Sequence, residues 1–198
     1  MTQIDYFYSL LSPFTYLAGL GLEEIAVSHD IEIVYRPADI QHVLSQTGGM
    51  PVPKRHPARQ AYRLQELARL SRINGLELNL QPQHWPVDAV PASCAVIAVK
   101  NAEGPTGQLS HDFLKACWAE DRDVSDPDTI AAILAQHGFD ALELTGAMDE
   151  ARAEFEANTA LAVDMGGFGA PFYIVGEEKF WGQDRLSHLD WHLGQLAS

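Results

Sequence analysis

The chain has 198 residues, 46% of them hydrophobic and 20% charged, with a formal net charge of −14. That length suits one compact domain, or one domain carrying a large insertion. The acidity speaks against a nucleic-acid partner, and no apolar run approaches the roughly 20 residues needed to cross a bilayer.

Ile4-Asp5-Tyr6-Phe7-Tyr8 opens the chain as a short stretch of strand character, rich in aromatic side chains. Ser12 then reads as a helix N-cap, with Pro13 at a first helical position that needs no amide hydrogen. Phe14, Leu17, Ala18, Leu22, Ile25 and Ala26 recur at helical spacing, which predicts one helix behind that turn. Ile31 to Tyr35 alternates as a half-buried strand ending at Arg36-Pro37, completing a βαβ unit. Gln46 to Pro57 holds three prolines and two glycines and reads as a loop.

A helix is expected from Pro57 to Asn74-Gly75, then a Pro-punctuated loop over 81–91 that holds Trp85. Further helices are expected over 92–102, 106–119, from the Asp126 cap to Gly138, and over 145–164. Strand character returns at Pro171-Phe172-Tyr173-Ile174-Val175, and Gly176-Glu177-Glu178 turns it into a hairpin with Lys179-Phe180-Trp181. A last helix beginning near Gln183-Asp184 aligns Leu186, Leu189, Leu193 and Leu196. The order is βαβ, a helical block of about 120 residues, then ββα.

Cys94 and Cys117 are separated by 22 intervening residues, outside any C-x-x-C motif and in apolar surroundings, so they read as buried thiols. Lys54, Arg55, Arg59, Arg63, Arg69 and Arg72 concentrate six of the 13 basic residues. A solvated helix face accounts for such a run; the alternative is a positive patch for a small carboxylate ligand. His188 and His192 have metal-compatible spacing but no third ligand nearby, so no metal is expected. The N-terminus lacks a secretory pattern, which makes a cytoplasmic location the default expectation.

The remaining constellation joins Ser12 to Phe168-Gly169-Ala170-Pro171-Phe172 and to Trp181-Gly182-Gln183-Asp184-Arg185. The bland reading of Ser12 is a helix cap and nothing more. Set against that, a strand–turn–helix start and a late strand entered through a proline able to be cis are features that a thioredoxin-type fold makes face each other. Backbone groups before such a proline pair with an extended peptide, and the Gln183-Asp184 helix entry offers donors to a carboxylate. Glutathione presents a matching set of groups.

These motifs, DYFYSLLSPFTYLA, YRLQELARLSRINGL and GGFGAPFYIVGEEKFWGQDRL, resemble the 2-hydroxychromene-2-carboxylate isomerase family of the DsbA-like, kappa-class glutathione transferase superfamily. The resemblance implies an α/β thioredoxin-like fold with a large all-helical insertion: residues 1–40 and 161–198 form the thioredoxin-like domain and 41–160 the insertion. It implies Ser12 as the active-site hydroxyl, with Thr15 in the place of a second cysteine. It also implies glutathione held by Ala170, Trp181, Gly182, Gln183 and Asp184. The second substrate, a small aromatic carboxylate or other electrophile, would meet Leu44, Lys54 and Arg55. At Leu44 the naphthalene-pathway isomerases carry lysine, and at Lys54 asparagine, so the chromene substrate itself is in question. The implied reaction is a cis-to-trans isomerisation in aromatic catabolism through transient glutathione addition, by a homodimer. A glutathione transferase or peroxidase, or a non-catalytic glutathione- or peptide-binding module, are the alternatives.

Overall fold

The computed structural model describes residues 2–196. β1 (Gln3–Tyr8) leads into α1 (Pro13–Leu17) and α2 (Gly21–His29), and then into β2 (Glu32–Pro37). The helices α3 (Ile40–Gln46), α4 (Pro57–Asn74), α5 (Val90–Asn101), α6 (Thr106–Trp118), α7 (Pro127–Gln136) and α8 (Met148–Asp164) follow. β3 (Phe172–Val175), β4 (Glu178–Trp181) and α9 (Leu186–Leu196) close the order. The architecture is the α/β, DsbA-like thioredoxin fold, a four-stranded mixed sheet among many helices.

The sheet runs β2-β1-β3-β4, with β1 and β2 parallel and the other neighbours antiparallel. Side chains alternate across it, so Ile4, Tyr6 and Tyr8 enter the larger core while Phe7 enters a smaller one. The larger core takes Leu17 of α1, Leu22 of α2, Leu67 of α4, Phe113 of α6 and Leu189 and Leu193 of α9. The smaller core takes Val43 of α3 and Ala162 of α8, which cover the opposite face. A fully buried Leu or Phe contributes roughly 1.5–3 kcal/mol relative to exposure.

One row of aromatic rings crosses the sheet: Tyr35 is registered with Tyr6, Tyr6 with Tyr173, and Tyr173 with Phe180. Tyr6 stacks on Tyr173 at 5.2 Å and on Tyr8 at 4.6 Å. Such cross-strand pairs fix register beyond what their area alone would do. Two of the hydroxyls find partners, Tyr8 with Ser110 Oγ at 2.7 Å and Tyr35 donating to Glu23 at 2.9 Å, while that of Tyr173 is buried without one. On the other face Arg36 pairs with Asp5 at 2.6 Å and donates to Asn158 Oδ1 at 3.4 Å, tying sheet to α8.

The helix expected behind Ser12 is two helices. Gly19, at φ +61°, breaks the chain between α1 and α2 with left-handed backbone that other residues rarely adopt. The pattern reads through the break because both helices face the same core. The expected 145–164 helix begins as a 3₁₀ segment over Glu143–Ala147, and α8 proper starts at Met148. The last helix likewise opens with a 3₁₀ turn, Gln183–Arg185, before α9. Cys94 and Cys117 are free and buried on α5 and α6, and burial pushes the Cys117 thiol up to about 12.

The Tyr8–Ser110 bond gives a direct test of how the helical block is tied to the sheet. Tyr8→Phe leaves a buried serine oxygen without its partner and should destabilise by about 1–3 kcal/mol. Adding Ser110→Ala should recover most of that loss, because neither polar atom then remains. Urea unfolding of both single variants and the double variant measures the recovery. Simple additivity of the two losses would mean that the bond carries no coupling.

Candidate functional site

All the site segments leave the sheet at one end, and strand direction is the reason. β1 finishes at Tyr8 beside the end of β2 at Pro37, since that pair is parallel. β3 is antiparallel to β1 and begins at Phe172 opposite Phe7, so residues 168–171 arrive where residues 9–12 depart. β4 ends at Trp181 opposite Phe172, which delivers 182–185 to the same end.

Ser12 caps α1, its Oγ accepting from the Thr15 amide at 3.2 Å. The same hydroxyl donates to the Ala170 carbonyl at 3.3 Å, across 158 residues of sequence. That bond is long, so the hydroxyl hydrogen is loosely committed and can turn to a stronger acceptor. The Ala170–Pro171 peptide is cis, and among the described residues nothing accepts from the Ala170 amide. Thr15, in the second cysteine's place, is buried with its Oγ1 unpartnered.

One cavity of about 540 Å³ opens on one side of this pair. Ala170, Trp181, Gly182, Gln183 and Asp184 line it, opposite Arg55, Arg59, Tyr62 and Arg63. Two glycines shape its wall. A Cβ at Gly169 would run into the Trp181 indole, and Gly182 takes φ +109° with Asp184 Oδ1 2.7 Å from where a Cβ would stand. Asp184 pairs with Arg185 at 2.7 Å in an exposed position.

A second cavity, of about 300 Å³, lies on the other side and holds Ser12 itself. Leu44, Val52, Trp85, Phe155 and Phe168 make it mostly apolar. Phe14, Arg55, Arg63, Ala170 and Trp181 belong to both walls, so the two volumes adjoin at the Ser12–Ala170 pair. Both volumes fall within the range of roughly 300–1,000 Å³ usual for small-molecule sites.

The structure separates Lys54 from this group. It ends the 3₁₀ turn Val52–Lys54 in an exposed position and lines neither cavity, whereas Arg55 beside it turns inward and lines both. Arg55 Nε donates to the Met50 carbonyl at 2.7 Å, which holds that turn. Consecutive residues on such a short turn cannot share one face. Of the expected site residues, Ser12, Ala170, Trp181, Gly182, Gln183, Asp184, Leu44 and Arg55 come together.

Three further residues belong here: Arg63, which the sequence marked only as one of a basic run, Trp85, which it marked only as part of a loop, and His111. Arg63 lies within the basic run, yet it is only 9% exposed, with its guanidinium 5.4 Å from the centre of the Trp85 ring. Burial, then the nearby Arg55, pushes its pKa down. Trp85 donates from its indole to the Leu11 carbonyl at 3.0 Å, bracing the turn before Ser12. His111 of α6 stacks on Tyr16 of α1 at 5.5 Å and has its Nδ1 buried without a partner. The density of arginines around 59–63 was the available signal for Arg63, and nothing local marked the other two.

A family model for the DSBA-like thioredoxin domain matches residues 3–194. The 2-hydroxychromene-2-carboxylate isomerase of Pseudomonas putida is 25% identical over 98% of this chain and 95% of its own. Human glutathione S-transferase kappa 1 is 23% identical over 97% of this chain and 91% of its own. A solved structure of 2-hydroxychromene-2-carboxylate isomerase superimposes with a TM-score of 0.81 at 24% identity, covering 98% and 95% of the two chains. The relatives are thus named as isomerases and glutathione transferases. No helix among the described residues is long and apolar enough to cross a membrane.

His111, packed behind the Ser12 helix, makes the site acid-sensitive. Burial lowers its pKa from the ordinary 6.5, so the unfolded chain takes up the proton before the folded one does. The stability its neutral ring contributes is full above about pH 6.5 and is lost as pH falls through the lower folded value. His111→Phe should therefore show a shallower fall in thermal stability than the wild type on acidification through that window. Parallel melting curves would assign the acid loss elsewhere.

Proposed function

This chain belongs to the DSBA-like thioredoxin-domain family, and from that premise we propose that it is a glutathione-dependent isomerase of small conjugated, acid-bearing compounds. The observation that carries the reading is the seam at which Ser12 Oγ meets Ala170 O between two adjoining cavities. A free backbone amide, a carbonyl and a mobile hydroxyl stand together there, with arginines on the facing wall.

The residues fit the cofactor on this chain's own chemistry. The Ala170 amide and carbonyl can pair with an extended peptide backbone in the manner of an added strand. Gly169 and Gly182 let the Trp181 indole and the Asp184 carboxylate come in close, where any side chain would intrude. Asp184 offers a carboxylate to an ammonium, and the arginine wall suits carboxylates. When bound, glutathione would supply a thiolate able to add reversibly to a conjugated carbon, turning a double bond into a rotatable single bond.

The chain's own part is orientation and charge. Ser12 Oγ, whose hydrogen is held only by a long bond to Ala170 O, would donate it to a bound thiolate and stabilise the anionic form. Thr15 and Cys-free surroundings offer no second thiol, which keeps dithiol exchange out of the turn. The apolar second cavity accepts the body of the electrophile and brings its conjugated carbon beside Ser12. Trp85, hydrogen-bonded to Leu11, fixes the wall against which that body packs.

Ser12→Ala separates hydroxyl chemistry from helix capping. Loss of a hydrogen bond to a charged sulfur, worth about 1.5–3 kcal/mol, should raise the bound thiol's pKa by about 1–2. Loss of the cap should cost about 1 kcal/mol of stability. Glutathione affinity should persist, because Ala170 and residues 181–184 are untouched. Ultraviolet titration of the thiolate in both proteins reads the pKa. An equal pKa in a folded variant would reduce Ser12 to a cap. Incubating the wild type with glutathione and a panel of electrophiles completes the test, since net consumption of glutathione would indicate transfer and unchanged glutathione with altered electrophile would indicate isomerisation.

A further inference from the structure

Arginine is rarely buried without a carboxylate or a set of acceptors to meet it, because an unpaired buried charge is costly. Arg63 is 9% exposed, and among the described residues no carboxylate or hydrogen-bond acceptor meets its guanidinium. Its neighbours deepen the anomaly. Arg55 and Arg59 are cations on the same wall, and Glu66, the acid closest by in sequence, is engaged by Arg69. The Trp85 face at 5.4 Å favours the positive charge but satisfies none of the five N–H donors. None of its nitrogens is sealed from solvent, so those donors open on the two cavities that Arg63 lines, where a ligand can meet them.

The position is as informative as the burial. Arg63 and Arg55 are the two charged residues common to both cavities. Beyond that shared wall the second cavity is mostly apolar, and its two acids, Asp39 and Asp88, each accept from a nearby backbone amide. A single anionic group is thus welcome at the junction beside Ser12, and a second one at the far end is not.

We propose that Arg63 is a specificity-determining carboxylate anchor, braced by the Trp85 ring and seating one carboxylate group at the junction of the two cavities. The fork of a guanidinium matches a carboxylate in two parallel hydrogen bonds, which fixes the ligand's orientation as well as its charge. The choice of ligand rests on the functional reading above, because glutathione and the electrophile each bring a carboxylate. The anchor itself stands on Arg63 alone.

Calorimetry on the wild type, Arg63→Met and Arg63→Lys distinguishes the two sources. The probes are glutathione alone, trans-cinnamate, and the neutral isostere cinnamamide. If the electrophile supplies the acid, Arg63→Met should weaken cinnamate about 10- to 100-fold and leave cinnamamide unchanged. If glutathione supplies it, the same loss should fall on glutathione. Arg63→Lys should retain part of the affinity through charge without the fork, and it carries the test should the methionine variant fail to fold. Removing an unpaired buried cation should leave Tm equal or higher, while saturating ligand should raise Tm more for the wild type than for Arg63→Met. Unchanged affinity for glutathione and cinnamate in folded variants would overturn the anchor and reduce Arg63 to packing against Trp85. Cinnamate selectivity that depends on Arg63 in a protein that binds no glutathione would keep the anchor and discard the cofactor.

Discussion

The antiparallel register of β1 against β3 is the constraint on which the site depends. Phe7 opposite Phe172 places the departure of one segment beside the arrival of another that lies more than 150 residues away. A slip of one residue would invert every side chain of β3 and move Ala170 away from Ser12. The register is held by rings rather than by backbone hydrogen bonds alone. Tyr6 stacks on Tyr173 on one side and meets Tyr35 edge-on at the other, so the central strand cannot shift without breaking both contacts. The helical block hangs between β2 and β3 and returns to the same end, which is how α4 reaches the seam from a distant part of the chain.

Electrostatics divides the molecule unevenly. The chain is strongly acidic as a whole, yet the wall facing Ala170 gathers arginines from α4 and the turn before it. Burial weakens solvent screening there, and desolvation lowers the proton affinity of both Arg55 and Arg63, with Arg59 adding to the effect at Arg55 and Arg55 adding to it at Arg63. A surface that repels anions generally thus contains one place that concentrates them. Low-dielectric walls focus such a field into the cavity. Behind the Ser12 helix the polarity reverses again, with Thr15 Oγ1 and His111 Nδ1 buried and unpartnered.

Much of this was legible from residues alone. The strand–Ser12–Pro13 opening, the proline-entered hairpin and the caps at Asp126 and Ser12 carry their signals within a few positions. The break at Gly19 was not, because hydrophobic spacing records which face is buried and not whether the backbone is continuous. Lys54 and Arg55 are indistinguishable as letters in a basic run, and a single 3₁₀ turn decides which of them faces the cavity. Arg63 needed information from Trp85, which reaches it from the loop between α4 and α5. Burial created by a distant segment has no local signature.

The tryptophans have a practical consequence. Trp85 and Trp181 wall the cavities, Trp118 lies fully buried with its ring 5.5 Å from that of Trp85, and Trp191 is 67% exposed on α9. Two indoles therefore sense whatever enters the seam, a third is close enough to share their excitation, and the fourth contributes a steady solvent-exposed background. The protein carries its own optical reporter of occupancy. Ligands too weak or too silent for turnover can be ranked by the quenching or blue shift of intrinsic emission, with no label introduced near the chemistry.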